Sequence, residues 1–241
     1  MRYLIKGWVK NSFCDWDSKI SSVIFLPGCN MRCPFCQNWQ LVENYKDIED
    51  INWHEITDYL VENKDFIDGL VITGGEPFIS DFLFDIIKDV KKMGLAVKID
   101  TNGTFPDKLK YLIDNAMVDG VAMDIKNSFE TGLYSKTCGI KVDDDLLEKI
   151  LYSTKILMDS DIDYEFRTTL VRSFHTAENI KKVAERISGA KRYVLQQYRK
   201  IGVKDGFDGG REFSKEEMEK IRDGIMQFFE ECYIRYYGKG S

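Results

Sequence analysis

The stretch Ser22-Val23-Ile24-Phe25-Leu26-Pro27-Gly28-Cys29-Asn30-Met31-Arg32-Cys33-Pro34-Phe35-Cys36 decides the fold. Its first half is a short β-branched apolar run, the pattern of a strand covered on both faces. Its second half is three cysteines within eight residues, spaced C-x3-C-x2-C. The same arrangement, a short strand running into a polar loop, recurs along the chain. Candidate strands lie at Ser22–Pro27, Leu70–Thr73, Ala96–Asp100, Gly120–Asp124, Tyr164–Val171 and Arg192–Tyr198. Amphipathic helices separate them. Ile79, Phe82, Leu83, Ile86, Ile87, Val90 and Met93 share one helical face, as do Leu146, Leu147, Ile150, Leu151, Thr154 and Leu157. Ile180, Val183, Ala184 and Ile187 make a third face. Pro106 suits a first helical turn, and Ser214 with Glu217 has capping-box spacing.

Strands alternating with helices predict an α/β fold with a parallel sheet. About six units make either an incomplete barrel or an open doubly wound sheet, and in both the active site lies beyond the carboxyl ends of the strands. The unusual polar residues collect there. After the cysteines come Gly74-Gly75-Glu76-Pro77, Asp100-Thr101-Asn102-Gly103 and Asp124-Ile125-Lys126. Arg167, Thr169, Gln196 and Gln197 lie on the last two predicted strands.

Three clustered thiols suit zinc or an iron–sulfur cluster. Structural zinc and ordinary clusters both want four protein ligands. The fourth position is therefore filled from afar, with Cys14 the nearest spare cysteine, or left open for a ligand. A closed zinc site has no use for the glycine-rich loop on the neighbouring strand.

Composition bounds the rest. The chain has 241 residues, 44% hydrophobic and 31% charged, and reads as one globular domain over 1–241. Residues 1–20 form an N-terminal extension leading into the first barrel strand. A net charge of −6 argues against a nucleic-acid backbone as partner. No apolar run reaches the roughly 20 residues that span a bilayer. The N-terminus lacks a signal-peptide pattern, so the cytoplasm is the expected location.

Several polar residues carry two readings. Gly74 and Gly75 allow close backbone approach to a ligand, or form a plain turn. Asp100 and Asp124 gather a cation or a ribose, or sit as satisfied turn carboxylates. Lys126 meets a carboxylate as a point charge. Arg167 and Thr169, on one strand face, address a ligand or form a buried salt bridge. Cys232 is expected on the apolar helix face of Ile221 and Ile225. Cys138 lies in 127–142, a long segment that could cover the site. His175 is expected as a helix cap or loop contact.

Cys29-x3-Cys33-x-Phe35-Cys36, followed by Gly74-Gly75-Glu76-Pro77 on the second strand, resembles the radical S-adenosylmethionine superfamily. The resemblance covers nearly the whole chain and implies a partial (β/α)6 TIM-type barrel, a parallel sheet with outer helices. It implies that Cys29, Cys33 and Cys36 bind a 4Fe-4S cluster whose open iron chelates S-adenosylmethionine. Reductive cleavage then yields methionine and a 5′-deoxyadenosyl radical that abstracts a hydrogen atom. Phe35, Gln37, Gly74, Gly75, Glu76, Asp100, Asp124, Lys126, Arg167 and Thr169 are the residues implied at S-adenosylmethionine.

The segments around Cys29, Asp100 and Asp124-Ile125-Lys126 are similar to those of glycyl-radical-enzyme activating enzymes. Such segments touch S-adenosylmethionine and, in at least one member, a monovalent cation, here placed near Asp100 and Asp124. Among these the chain resembles the activating proteins of anaerobic ribonucleotide reductase most, then pyruvate formate-lyase activating enzyme. Gln37 departs from the histidine many members carry, which loosens that subgroup. The absence of cysteine between Cys36 and Gly74 implies a single cluster. The implied partners are a glycyl-radical enzyme as protein substrate and a flavodoxin or ferredoxin-type electron donor. The alternatives are radical chemistry on a small molecule or nucleoside, and a zinc-stabilised interaction domain.

Overall fold

The structure is a computed structural model that describes residues 3–204, 207 and 211–236. Its strands are β1 (Gly7–Ser12), β2 (Ser21–Leu26), β3 (Gly69–Gly74), β4 (Ala96–Thr101), β5 (Gly120–Asp124), β6 (Asp163–Leu170), β7 (Arg192–Gln197) and β8 (Glu231–Arg235). Among the described residues they run in sequence order, β1 to β8, through one sheet. Its helices are α1 (Trp39–Glu43), α2 (Trp53–Glu62), α3 (Leu83–Lys92), α4 (Pro106–Asp114), α5 (Thr131–Cys138), α6 (Asp144–Met158), α7 (Ala177–Arg186) and α8 (Lys215–Asp223). Among the described residues, no helix is long and apolar enough to cross a membrane.

The chain packs as two compact units. The first holds residues 1–30, 38–101 and 107–122. In it β1 lies antiparallel to β2, with Trp8 opposite Ile24. β2 and β3 pair in parallel, Val23 beside Val71 and Leu26 beside Gly74, and β3 pairs in parallel with β4. Trp16 packs on Val23 and Val71. Its ring stands where a Cβ at Gly69 or Gly120 would come within 3.0 or 2.9 Å, so the amino ends of β3 and β5 need glycine. α3 buries Leu83, Ile86, Ile87 and Val90, the expected helical stripe. Ile79, expected on that stripe, lies before the helix in a 3-10 turn at Pro77–Ile79.

The second unit holds residues 31–37, 102–106 and 123–241. β6, β7 and β8 pair in parallel, with Thr169 beside Gln196 and Gln196 beside Arg235. α6 is capped by Asp143, whose side chain accepts from the Leu146 N–H. α8 carries the reciprocal Ser214–Glu217 capping box.

All six predicted strands are present. β1 and β8 are additional, so 1–20 contains a paired strand rather than only a lead-in. Cys232 is a correction: it lies on β8 opposite Tyr193, not on a helix face with Ile221 and Ile225. α8 ends at Asp223, and Gly224 stands at its C-cap, where the helix stops.

Candidate active site

In the first unit, the cysteine loop and the glycine loop are laced together through backbone. Gly28 leaves β2 with φ +85°, a left-handed conformation that glycine adopts without penalty. The Gly75 N–H donates to Leu26 O at 2.9 Å, and the Glu76 N–H to Gly28 O at 2.8 Å. A Cβ on Gly75 would fall 1.7 Å from Gly28 O. Gly74 has φ +118°, and a Cβ there would fall 2.3 Å from Leu26 O. The close approach these glycines permit is thus to the backbone that launches the cysteine loop. Asn38 Nδ2 donates to Gly74 O at 3.0 Å from just beyond that loop.

Glu76 is buried. Its Oε1 accepts from the Phe78 N–H at 3.2 Å and from Thr101 Oγ1 at 2.8 Å. The carboxylate caps the following turn and ties it to the carboxyl end of β4, where Asp100 also stands.

In the second unit, the Cys36 N–H donates to Cys33 O at 3.0 Å, so these two cysteines share one turn. The Arg32 N–H donates to Cys138 O at 2.8 Å, docking the last turn of α5 on the loop. Hydrogen bonding by the Cys138 side chain, together with the Lys126 charge, outweighs burial and lowers the Cys33 pKa to about 7. Burial alone would lower the Lys126 pKa; the charges of Asp124 and Cys33 overcome it and hold Lys126 well above its usual range. Lys126 Nζ lies 2.7 Å from Asp124 Oδ2.

The Lys126 backbone is gripped on both sides. Its N–H donates to Tyr134 Oη at 3.1 Å. Its carbonyl lies 2.7 Å from His175 Nε2, which must therefore carry the proton. The bare Nδ1 then accepts from the Val171 N–H at 3.0 Å. Burial lowers the His175 pKa, consistent with a neutral ring. Thr176, not His175, caps α7.

Phe35 packs on Val171 and Tyr198, with its ring 5.6 Å from that of Phe174. Cys33 borders this cluster, which gives the thiol a dry flank. Gln37 Nε2 donates to Arg199 O at 3.2 Å and Ile201 O at 3.3 Å. Arg167 forms a buried ion pair with Glu165, and Arg235 reaches the same carboxylate at 3.2 Å. Thr169 Oγ1 donates to Gln196 Oε1 at 3.2 Å.

Among the described residues, no three His, Cys, Asp or Glu side chains converge as a metal-binding group. The fit of a cluster therefore rests on the donor chemistry, soft thiols closely spaced on a loop.

The family model of the radical SAM superfamily matches residues 23–187. The chain belongs to the radical SAM superfamily. It is similar to a candidate glycyl-radical enzyme activating enzyme of Methanocaldococcus jannaschii, 36% identical over 225 residues, spanning 91% of this chain and 88% of that one. It is similar to the pyruvate formate-lyase-activating enzyme of Clostridium pasteurianum at 25% identity, spanning 76% and 77%. In structure it matches SuiB of Streptococcus suis, solved with S-adenosylmethionine bound, at TM-score 0.64 and 14% identity. That match covers 90% of this chain and 52% of SuiB, and shows a common fold.

This radical SAM enzyme therefore has the expected α/β architecture of partial-barrel relatives, and its relatives include activating enzymes of glycyl-radical proteins. Sequence reasoning missed His175 and Tyr134 as the grip on Lys126. Neither has a local pattern, because their partners lie on other elements. Cys138 stood out only as a single thiol.

Proposed function

We propose that the chain generates a glycyl radical on a partner enzyme, with anaerobic ribonucleoside-triphosphate reductase as the partner. The observation that carries the activase reading is the 36% identity across nearly the full length of an activating-enzyme relative. The reductase as partner is supported by the resemblance of residues 22–39. A second partner, pyruvate formate-lyase, is supported by likeness to the clostridial activating enzyme.

We assign Cys29, Cys33 and Cys36 as ligands of a 4Fe-4S cluster, and Gly74, Gly75, Asp100, Asp124, Lys126, Arg167 and Thr169 to S-adenosylmethionine. Bound together, cluster and S-adenosylmethionine supply a 5′-deoxyadenosyl radical, so no protein nucleophile is needed. The chain's own residues position and shield. Lys126 offers a fixed cation for the methionine carboxylate, held by Asp124, Tyr134 and His175. Glu165 orients Arg167. Phe35 with its aromatic neighbours keeps water from the Cys33 side. Glu76 holds the glycine loop, and Gln37 holds the segment after β7. A monovalent cation near Asp100 and Asp124, a flavodoxin or ferredoxin-type donor and a cytoplasmic location complete the proposal.

Anaerobic incubation of the reconstituted chain with each partner, S-adenosylmethionine and a reductant tests it by electron paramagnetic resonance. A doublet glycyl signal on the reductase is expected. S-adenosylmethionine cleavage without that signal on any glycyl-radical enzyme contradicts it. Zinc with no iron after anaerobic purification would establish an interaction domain instead.

A further inference from the structure

β8 brings two side chains to the carboxylate that holds Arg167. Glu165 and Arg167 lie two apart on β6 and so share one face of the sheet. Across that face Arg167 stands beside Val194 of β7, and Val194 beside Tyr233 of β8. In the next row Thr169 stands beside Gln196, and Gln196 beside Arg235. The Arg235 side chain reaches back from that row to Glu165. Its Nη2 donates to Glu165 Oε2 at 3.2 Å and to Tyr233 Oη at 3.1 Å, and its Nη1 to Glu165 Oε1 at 3.4 Å. Tyr233 Oη in turn donates to Oε2 at 3.4 Å. Arg167 takes Oε1 through Nε and Nη2. Glu165 is 2% exposed and Arg167 7%.

We propose that Arg235 and Tyr233 are positioning residues for Arg167: they hold Glu165 by its second oxygen, so that Arg167 presents a fixed and only partly neutralised guanidinium to S-adenosylmethionine. The proposal rests on Arg167 being a residue of the S-adenosylmethionine site. A buried carboxylate bound through one oxygen can pivot; bound through both, it holds its partners in one geometry. A planar guanidinium fixed along one edge then points its opposite edge in a set direction. The second effect is charge. An isolated Arg167–Glu165 pair would cancel the Arg167 charge. Here Glu165 divides one negative charge between two guanidiniums, and Arg167 keeps part of its attraction for an anionic group. Arg235 and Tyr233 thus act through Glu165 and Arg167.

Equilibrium dialysis of S-adenosylmethionine against the anaerobically reconstituted full-length chain tests this. The variants are Arg235→Met, Arg235→Lys, Tyr233→Phe and Arg167→Met, with each β8 change also combined with Arg167→Met, and thermal melting checks that each folds. Arg235→Met is expected to weaken binding about tenfold and Tyr233→Phe about threefold, the losses of a charge-assisted and of a neutral hydrogen bond. Arg235→Lys, which keeps the charge, recovers part of the loss. In cleavage assays both weakening changes raise KM for S-adenosylmethionine more than they lower kcat. In the Arg167→Met background both effects shrink toward none, whereas a merely structural role for β8 would leave them undiminished. If Arg235→Met does not fold, Tyr233→Phe decides. Wild-type affinity in Tyr233→Phe and in every folded Arg235 variant, with Arg167→Met weakened, overturns the proposal and leaves the assignment of Arg167 intact. Undiminished losses in the Arg167→Met background overturn it as well. Wild-type affinity in Arg167→Met removes Arg167 from the site, and the proposal with it.

Discussion

Gly75 has no room for a side chain. A methyl group there would need to occupy the Gly28 carbonyl oxygen, 1.7 Å away, and both atoms are backbone-bound. Gly75→Ala should therefore lower stability by roughly 1–3 kcal/mol, the range for forcing extra atoms into a filled site, and abolish S-adenosylmethionine binding. Thermal melting and equilibrium binding check both; an alanine variant that melts and binds like wild type refutes the contact. His175 makes a second prediction. Its buried ring has a lowered pKa, and Lys126 and the Val171 backbone face it. The unfolded chain therefore binds more protons below the ordinary histidine pKa of about 6.5, so this contribution is present above that pH and is lost as pH falls toward the folded value. Urea midpoints measured from pH 7.5 to pH 5 should fall more in the wild type than in His175→Gln. Gly74 and Gly75 were legible because no other residue type serves there. His175 was not, because its bonds join segments that only folding brings together.

Elements show where local pattern suffices. β2, β3, β5 and β7 were readable because their apolar runs are buried on both faces and end at turn residues. β1 was not, since Trp8, Val9 and Lys10 leave a half-exposed edge with no clean alternation. β8 follows α8 after a short 3-10 turn, and the apolar spacing continues across the break. Gly224 was the available stop signal. The capping box of α8 was read correctly, and it gives a prediction at this scale. Ser214→Ala removes the acceptor of the Glu217 N–H and should lower stability by about 1 kcal/mol, read from urea denaturation. A change near zero would mean that the bonds of the Glu217 carboxylate to the Ser214 N–H and to Arg172 hold the helix start.

At the scale of the whole molecule, superfamily and fold were legible from the two loop motifs together, since each alone is ambiguous. The substrate was not, because a radical that takes a hydrogen atom leaves no demand for a particular protein acid or base. What the chain must supply is a dry, positioned site, and its buried bonds are spent on holding Lys126, Glu76 and the Cys33 loop. The central claim is abstraction of a glycine Cα hydrogen on a partner enzyme. It is tested most directly by preparing the partner with Cα-dideuterated glycine and analysing the 5′-deoxyadenosine by mass spectrometry. The account predicts deuterium in 5′-deoxyadenosine, together with a glycyl resonance on the partner. Deoxyadenosine formed at the same rate without deuterium would contradict it.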